Sequence, residues 1–169
     1  MFFSKKNVGG AILALSLFLI TPCEGKERLI NAKSSIEAVA NSVLKAVTRK
    51  DVKSLETLYL TKDEFKRYIW PEIPWSRPER NMPFDYYWGD LNQKSSWALK
   101  RVLVRHGGKK YELIRVYFAK GVREYKNFRL YRDTRLIVRD ETGKKKELNI
   151  FGSIVELNGK FKILSYIHE

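Results

Sequence analysis

The chain is poor in the residues that build metal centres and crosslinks. Its single cysteine in 169 residues excludes an intramolecular disulfide. Two histidines and that one cysteine cannot supply a four-ligand Cys/His zinc site, so no metal site is expected. A glycine-rich phosphate loop and a GxSxG nucleophile elbow are also missing, and no cofactor is expected. Acidic residues are scarce: 19 Asp and Glu against 33 Lys and Arg leave a formal charge of +14. Proline is scarce outside one stretch, since four of the five lie in residues 71–83. Hydrophobic residues make up 44% of the chain, too many for a disordered polyelectrolyte. The length suits one domain with a sizeable core and is too short for two ordinary ones.

Long hydrophobic runs are missing too, apart from one of 13 residues, Val8 to Ile20. That is short of the ~20 residues of a membrane-spanning helix and fits the core of a secretory signal. Lys5 and Lys6 precede it, Pro22 ends it, and Cys23 and Gly25 stand three and one before a cut at Lys26. Residues 1–25 therefore read as a cleaved signal peptide. The rival reading is a lipoprotein signal with Cys23 lipidated. Ile20-Thr21-Pro22-Cys23 resembles a lipobox, although Pro22 stands where a small residue is usual. An uncleaved anchor is a third reading. The expected location is periplasmic or extracellular, and membrane-attached if Cys23 carries lipid. Removing Lys5, Lys6 and Glu24 leaves a charge of +13, so the basic character belongs to the folded part.

Residues 26–33 read as a linker and 34–169 as the domain. Ser34 and Glu37 have capping-box spacing. Ile36, Val39, Ala40, Val43, Leu44 and Val47 then repeat at helical intervals to Thr48–Lys50. Asp51 is placed to cap a second helix bearing Val52, Leu55, Leu58 and Tyr59. Thr61 and Glu64 form another capping box, with Leu60 and Phe65 as its staple, and Pro71 stops that third helix near Trp70. Residues 71–83 read as a loop. A helix is expected from Phe84 to Ser95.

From Trp97 the period shortens to two. Strands are expected over Trp97–Arg105, Tyr111–Ala119, Arg129–Arg139, Glu147–Leu157 and Phe161–Ile167. Gly107-Gly108, Glu141-Thr142-Gly143 and Asn158-Gly159 are the turn signals between them. One strand parity carries Ile114, Val116, Phe118, Leu130, Leu136 and Val138. The other carries Arg115, Tyr117, Tyr131, Asp133 and Arg135. Helices first and antiparallel strands second predict an α+β domain, with the helices packed in the concavity of a strongly curved sheet.

The long helix Ser35–Thr48, the Arg49-Lys50-Asp51 turn, the second helix with Leu55, Leu58 and Tyr59, and the following strands resemble the nuclear transport factor two-like superfamily. That group includes ketosteroid isomerase-like and polyketide cyclase-like domains. The resemblance covers residues 34–168 as an order of elements. It implies a cone with a pocket at its open end, and a fold used by enzymes, binding domains and accessory proteins, many of them dimers. The Tyr and Asp pocket residues of the enzymatic members, and the His-Asp pair of dehydratase-type relatives, have no matched positions here, so no catalytic residue is carried over.

The residues offer their own candidates. His106 precedes Gly107-Gly108, at the end of an expected hairpin, and His168 adjoins the C-terminus. Both are expected to be solvated. Asp133 is expected inside a strand, flanked by Arg132 and Arg135. An Asp buried beside Arg stays ionised, which suits electrostatic ligand binding better than proton abstraction; the alternative reading, and the favoured one, is an exposed cross-strand ion pair worth little. Asp133 with Tyr131 or Tyr117 is the candidate catalytic set. Tyr68, Trp70, Trp75, Phe84, Tyr86, Tyr87 and Trp88 crowd into 21 positions. They read either as a binding wall or as packing that plugs the cone and pins the proline loop. Trp70, Trp75, Tyr86, Tyr87 and Trp88, with Arg115 and Arg135, are the candidate ligand-binding residues.

The function expected is a non-catalytic, exported envelope protein. It would bind a ligand or protein, with its basic surface held near an anionic envelope component or an acidic protein. A hydrophobic small ligand is a further candidate. Export argues against a nucleic-acid partner, and membrane contact is expected to be peripheral or through a lipid. The alternatives are a cone-pocket isomerase or hydrolase of a hydrophobic small molecule, and a structural or secretion-accessory protein that pairs its sheets as a homodimer.

Overall fold

The structure, a computed structural model, describes Met1 and residues 28–166. The hydrophobic leader, Cys23 and His168 lie outside the described residues.

Helix α1 spans Ile36–Arg49 and buries Val39, Ala40, Val43, Leu44, Ala46 and Val47; the expected stripe holds except that Ile36 is only partly buried and Ala46 joins it. Its cap is Ser35 and not Ser34: the Ser35 hydroxyl accepts from the Ala38 N–H at 3.1 Å. Lys50 ends it in the left-handed region at φ 54°. Asp51 caps α2, Val52–Thr57, by accepting from the Ser54 N–H. The Thr61–Glu64 capping box opens α3, Lys62–Glu64, which continues as a π-helical turn, Phe65–Ile69. The proline stretch forms three short 3-10 turns, Trp70–Glu72, Pro74–Ser76 and Pro78–Arg80.

Helix α4 then runs Phe84–His106. The expected strand Trp97–Arg105 is therefore its second half. Ser95, Ala98, Leu99 and Val102 are buried at spacings of three, one and three, a helical stripe. Trp97 and Val104 lie on the opposite, exposed side. Apolar residues on both sides of the helix imitate a two-residue period.

The strands are β1 Tyr111–Phe118, β2 Val122–Glu124, β3 Arg129–Tyr131, β4 Thr134–Asp140, β5 Lys145–Leu148, β6 Ile154–Leu157 and β7 Lys160–Ile163. They form two antiparallel sheets, β1-β4-β5 and β2-β3-β6-β7. The expected strand Arg129–Arg139 is two strands, one in each sheet. The break is at Asp133, whose φ is 56°. Strand Glu147–Leu157 is likewise interrupted between Leu148 and Ile154. The connection after β1 contains β2, three exposed residues too short to leave a period in the sequence.

The register of β1 shifts between Leu113 and Arg115. This bulge puts Ile114 out to solvent and leaves Leu113, Val116 and Phe118 against the core. The expected parity set therefore loses Ile114. It also loses Leu130, which belongs to a second cluster, whereas Tyr131 packs on the first.

Two hydrophobic clusters occupy the two faces of the four-stranded sheet. The first joins α1, α2 and α4 to Leu136, Val138, Ile154, Ile163 and Tyr166. The second joins Leu29, Leu60, Phe65, Ile69 and Ile73 to Phe128, Val155 and Leu157. Alternation along β6 explains the division, since Ile154 faces one cluster and Val155 the other. The described part of the expected linker is fixed to this frame. Leu29 is buried, and Lys33 bridges Phe161 by two backbone bonds of 2.9 Å. The architecture is a single α+β domain of helices and two antiparallel sheets.

Candidate functional site

Four of the candidate residues meet on the β1–β4 surface. Tyr117 stands opposite Arg135 in the register. Asp133 lies in the turn before β4 and not within a strand. It is only 5% exposed. The Arg135 guanidinium closes on it from both sides, Nε at 3.0 Å from Oδ1 and Nη2 donating to Oδ2 at 3.2 Å. Arg135 Nη1 also lies 3.8 Å from Glu147 Oε1, and the Tyr117 hydroxyl donates to Glu147 Oε2 at 2.8 Å. The Arg115 guanidinium sits 5.6 Å over the Tyr117 ring.

Asp133, Arg135 and Glu147 pair their charges, while Asp133 Oδ1, close to the guanidinium, accepts no hydrogen bond. The hydrogen bond to Asp133 raises the pKa of Arg135. Donation to Glu147 raises that of the Tyr117 hydroxyl, holding it neutral. Glu147 is the member the sequence reading missed. The Glu141-Thr142-Gly143 turn sets the β4–β5 register that brings it alongside Arg135; that register was the available signal.

Tyr131 is elsewhere. Its ring packs on Phe118 and Phe161, at centroid distances of 4.9 and 6.2 Å. Its hydroxyl donates to Glu156 at 2.6 Å. Burial first, and then Glu156, push that hydroxyl's pKa up. Asp133 and Tyr131 are not joined.

The aromatic segment divides. Trp70 lies 5.2 Å from Tyr87 and 5.5 Å from Phe84, and Trp88 lies 5.4 Å from Phe65. These rings extend the second hydrophobic cluster and hold the proline turns against the start of α4. Trp75 and Tyr86 keep much of their surface in solvent, and Arg80 lies over the Trp75 ring at 5.4 Å. Beside this segment an open hollow of about 350 Å³ is bordered by Arg28, Ile30, Glu64, Arg67 and Tyr68.

A third grouping comes from the corrected helix. His106 ends α4 and does not sit in a hairpin, and its Nδ1 lies 3.1 Å from the Tyr111 hydroxyl. Burial, then Lys109 and Arg105, lower its pKa. The segment after α4 is tied to the end of α1: Gly108 N–H donates to Val47 O at 3.1 Å, and the Thr48 hydroxyl donates to Lys109 O at 2.9 Å. Gly108 has φ 88° and lies against the Lys50 side chain, where a Cβ would come within 3.3 Å of Lys50 Cε. Two helix C-termini therefore gather Lys50, Arg105, Lys109 and Lys110 at one pole, where helix dipoles favour cations.

Among the described residues no group of three or more His, Cys, Asp or Glu is placed to hold a metal, and no helix is long and apolar enough to cross a membrane. The chain matches no family model, no curated protein and no solved structure.

Proposed function

We propose that this is an exported, non-catalytic binding domain that holds to an anionic envelope component through its basic surface. The observation that carries this reading is the pole formed by Lys50, Arg105, Lys109 and Lys110. No ion pair to these four is found among the described residues, although acids elsewhere on the surface are widely paired. The basic pole supplies attraction that suits a repeating anionic surface. The hydrophobic leader supports an envelope location. The order of helices and strands supports a nuclear transport factor two-like domain, with the helices lying in the concavity of a curved sheet.

An enzyme built on Asp133 has less support. Its carboxylate is buried, as an active-site acid would be, yet both oxygens face Arg135. The hollows along Glu124–Arg129 and beside Tyr68 are bordered by other residues.

The test is salt-dependent partition. The protein should sediment with envelope material at low ionic strength and be released as salt screens the charges. Lys50→Gln, Lys109→Gln and Lys110→Gln together should shift release to lower salt, whereas Asp133→Asn should not. Salt-independent partition, or no association at all, contradicts the reading.

A further inference from the structure

Between Asn92 and Tyr111 the chain has six cations and no carboxylate. Four of them, Lys94, Lys100, Arg101 and Arg105, lie exposed on α4. The buried side of that half of the helix is set by Ser95, Ala98, Leu99 and Val102. At about 100° per residue, the side diametrically opposite is centred on Trp97 and Val104, two turns apart. Their exposure is 60% and 86%, so the core uses little of either side chain. Lys100 flanks this pair on one side, and Arg101 and Arg105 on the other. Lys94 is paired with Asp90 at 2.7 Å. The other three have no ion pair among the described residues.

A single exposed apolar residue on a surface is ordinary. A tryptophan and a valine aligned on one helix face and bracketed by long cationic side chains match the pattern of an interfacial helix. In such a helix the apolar residues enter the headgroup boundary and the cations reach up to the phosphates. We propose that the outer face of α4 docks the protein on an anionic phospholipid surface. Trp97 and Val104 sit at the headgroup boundary, Lys100, Arg101 and Arg105 meet lipid phosphates, and the pole of Lys109 and Lys110 extends the contact. This rests on the proposed function for the anionic character of the partner and narrows it to lipid. A hydrated polyanion would satisfy the cations but gives Val104 nothing to be buried against. A bilayer satisfies both.

The full chain is tested on vesicles of phosphatidylcholine alone and of phosphatidylcholine with phosphatidylglycerol; the leader is common to every sample. Binding should require phosphatidylglycerol. Each cation near an anionic surface contributes about fivefold, so Lys100→Gln, Arg101→Gln and Arg105→Gln together should weaken binding on the order of a hundredfold. Trp97→Ser with Val104→Ser should weaken it roughly tenfold. Circular dichroism checks that both variants are folded, as expected for exposed positions. Nitroxide-labelled lipid should quench a share of the tryptophan emission that disappears in Trp97→Phe. Vesicle binding unchanged in both multiple variants, or quenching unchanged in Trp97→Phe, overturns the inference. Binding to a soluble polyphosphate but not to vesicles overturns it and leaves the proposed function standing. Failure to bind either one overturns both.

Discussion

Lys162 Nζ lies 2.8 Å from Glu64 Oε2, and the two residues are only 2% and 4% exposed. Glu64 also accepts the Thr61 N–H at 2.8 Å and the Ile30 N–H at 2.5 Å. One buried carboxylate therefore caps α3, ties down the backbone at Ile30 and neutralises a lysine from β7. Truncating a partner of such a pair strands a charge in the interior. Lys162→Met should cost about 3–5 kcal/mol. The double variant with Glu64→Gln should regain part of that, because no charge is then left unpaired. Urea unfolding of the single and double variants checks both values.

Helix α4 allows a test of chain conformation by paired substitutions. Val102 is buried and Val104 is 86% exposed. On a strand these two positions would share a face; on a helix they do not. Val102→Asp should destabilise by at least ~3 kcal/mol, while Val104→Asp should stay within about 0.5 kcal/mol of the parent. Similar losses at both positions would contradict the helix.

Asp133 and Arg135 make a structural prediction with a functional corollary. Arg135→Ala leaves Asp133 buried without its cation and should cost roughly 3 kcal/mol. Asp133→Asn should lower stability and leave salt-dependent envelope partition unchanged. Thermal unfolding alongside the partition assay separates the two effects.

His106 gives a pH dependence. Its pKa in the folded state is depressed, by burial first and then by Lys109 and Arg105. The unfolded chain takes up the proton near pH ~6.5 and the folded chain only at lower pH. Stability from the neutral imidazole is therefore complete above that value and lost as pH falls below it. His106→Gln should flatten the decline in urea-unfolding stability between about pH 7 and 5. An unchanged slope would contradict the assigned environment.

The early part of the fold was legible because its signals are local. Asp51, Thr61 and Glu64 cap the helices they were expected to cap, and the stripe of α1 faces the core. The later part depends on non-local pairing. No local pattern marks the bulge after Leu113 or the left-handed backbone at Asp133, and these two features decide which side chains face inward. Of the candidate site, the Asp133–Arg135 pair was readable from spacing. Glu147 needed the β4–β5 register, and the Trp97–Val104 face needed α4 to be recognised as a helix throughout. Most of the aromatic segment proves to be packing. Trp70, Tyr87 and Trp88 hold the proline turns, and only Trp75 and Tyr86 keep an open surface.

The proposed export is what directs +13 of charge toward envelope surfaces and away from nucleic acid. Intact mass of the protein recovered from separated envelope and cytosolic fractions tests this directly. The predicted result is an envelope-associated chain beginning at Lys26. A full-length chain confined to the cytosolic fraction would contradict it.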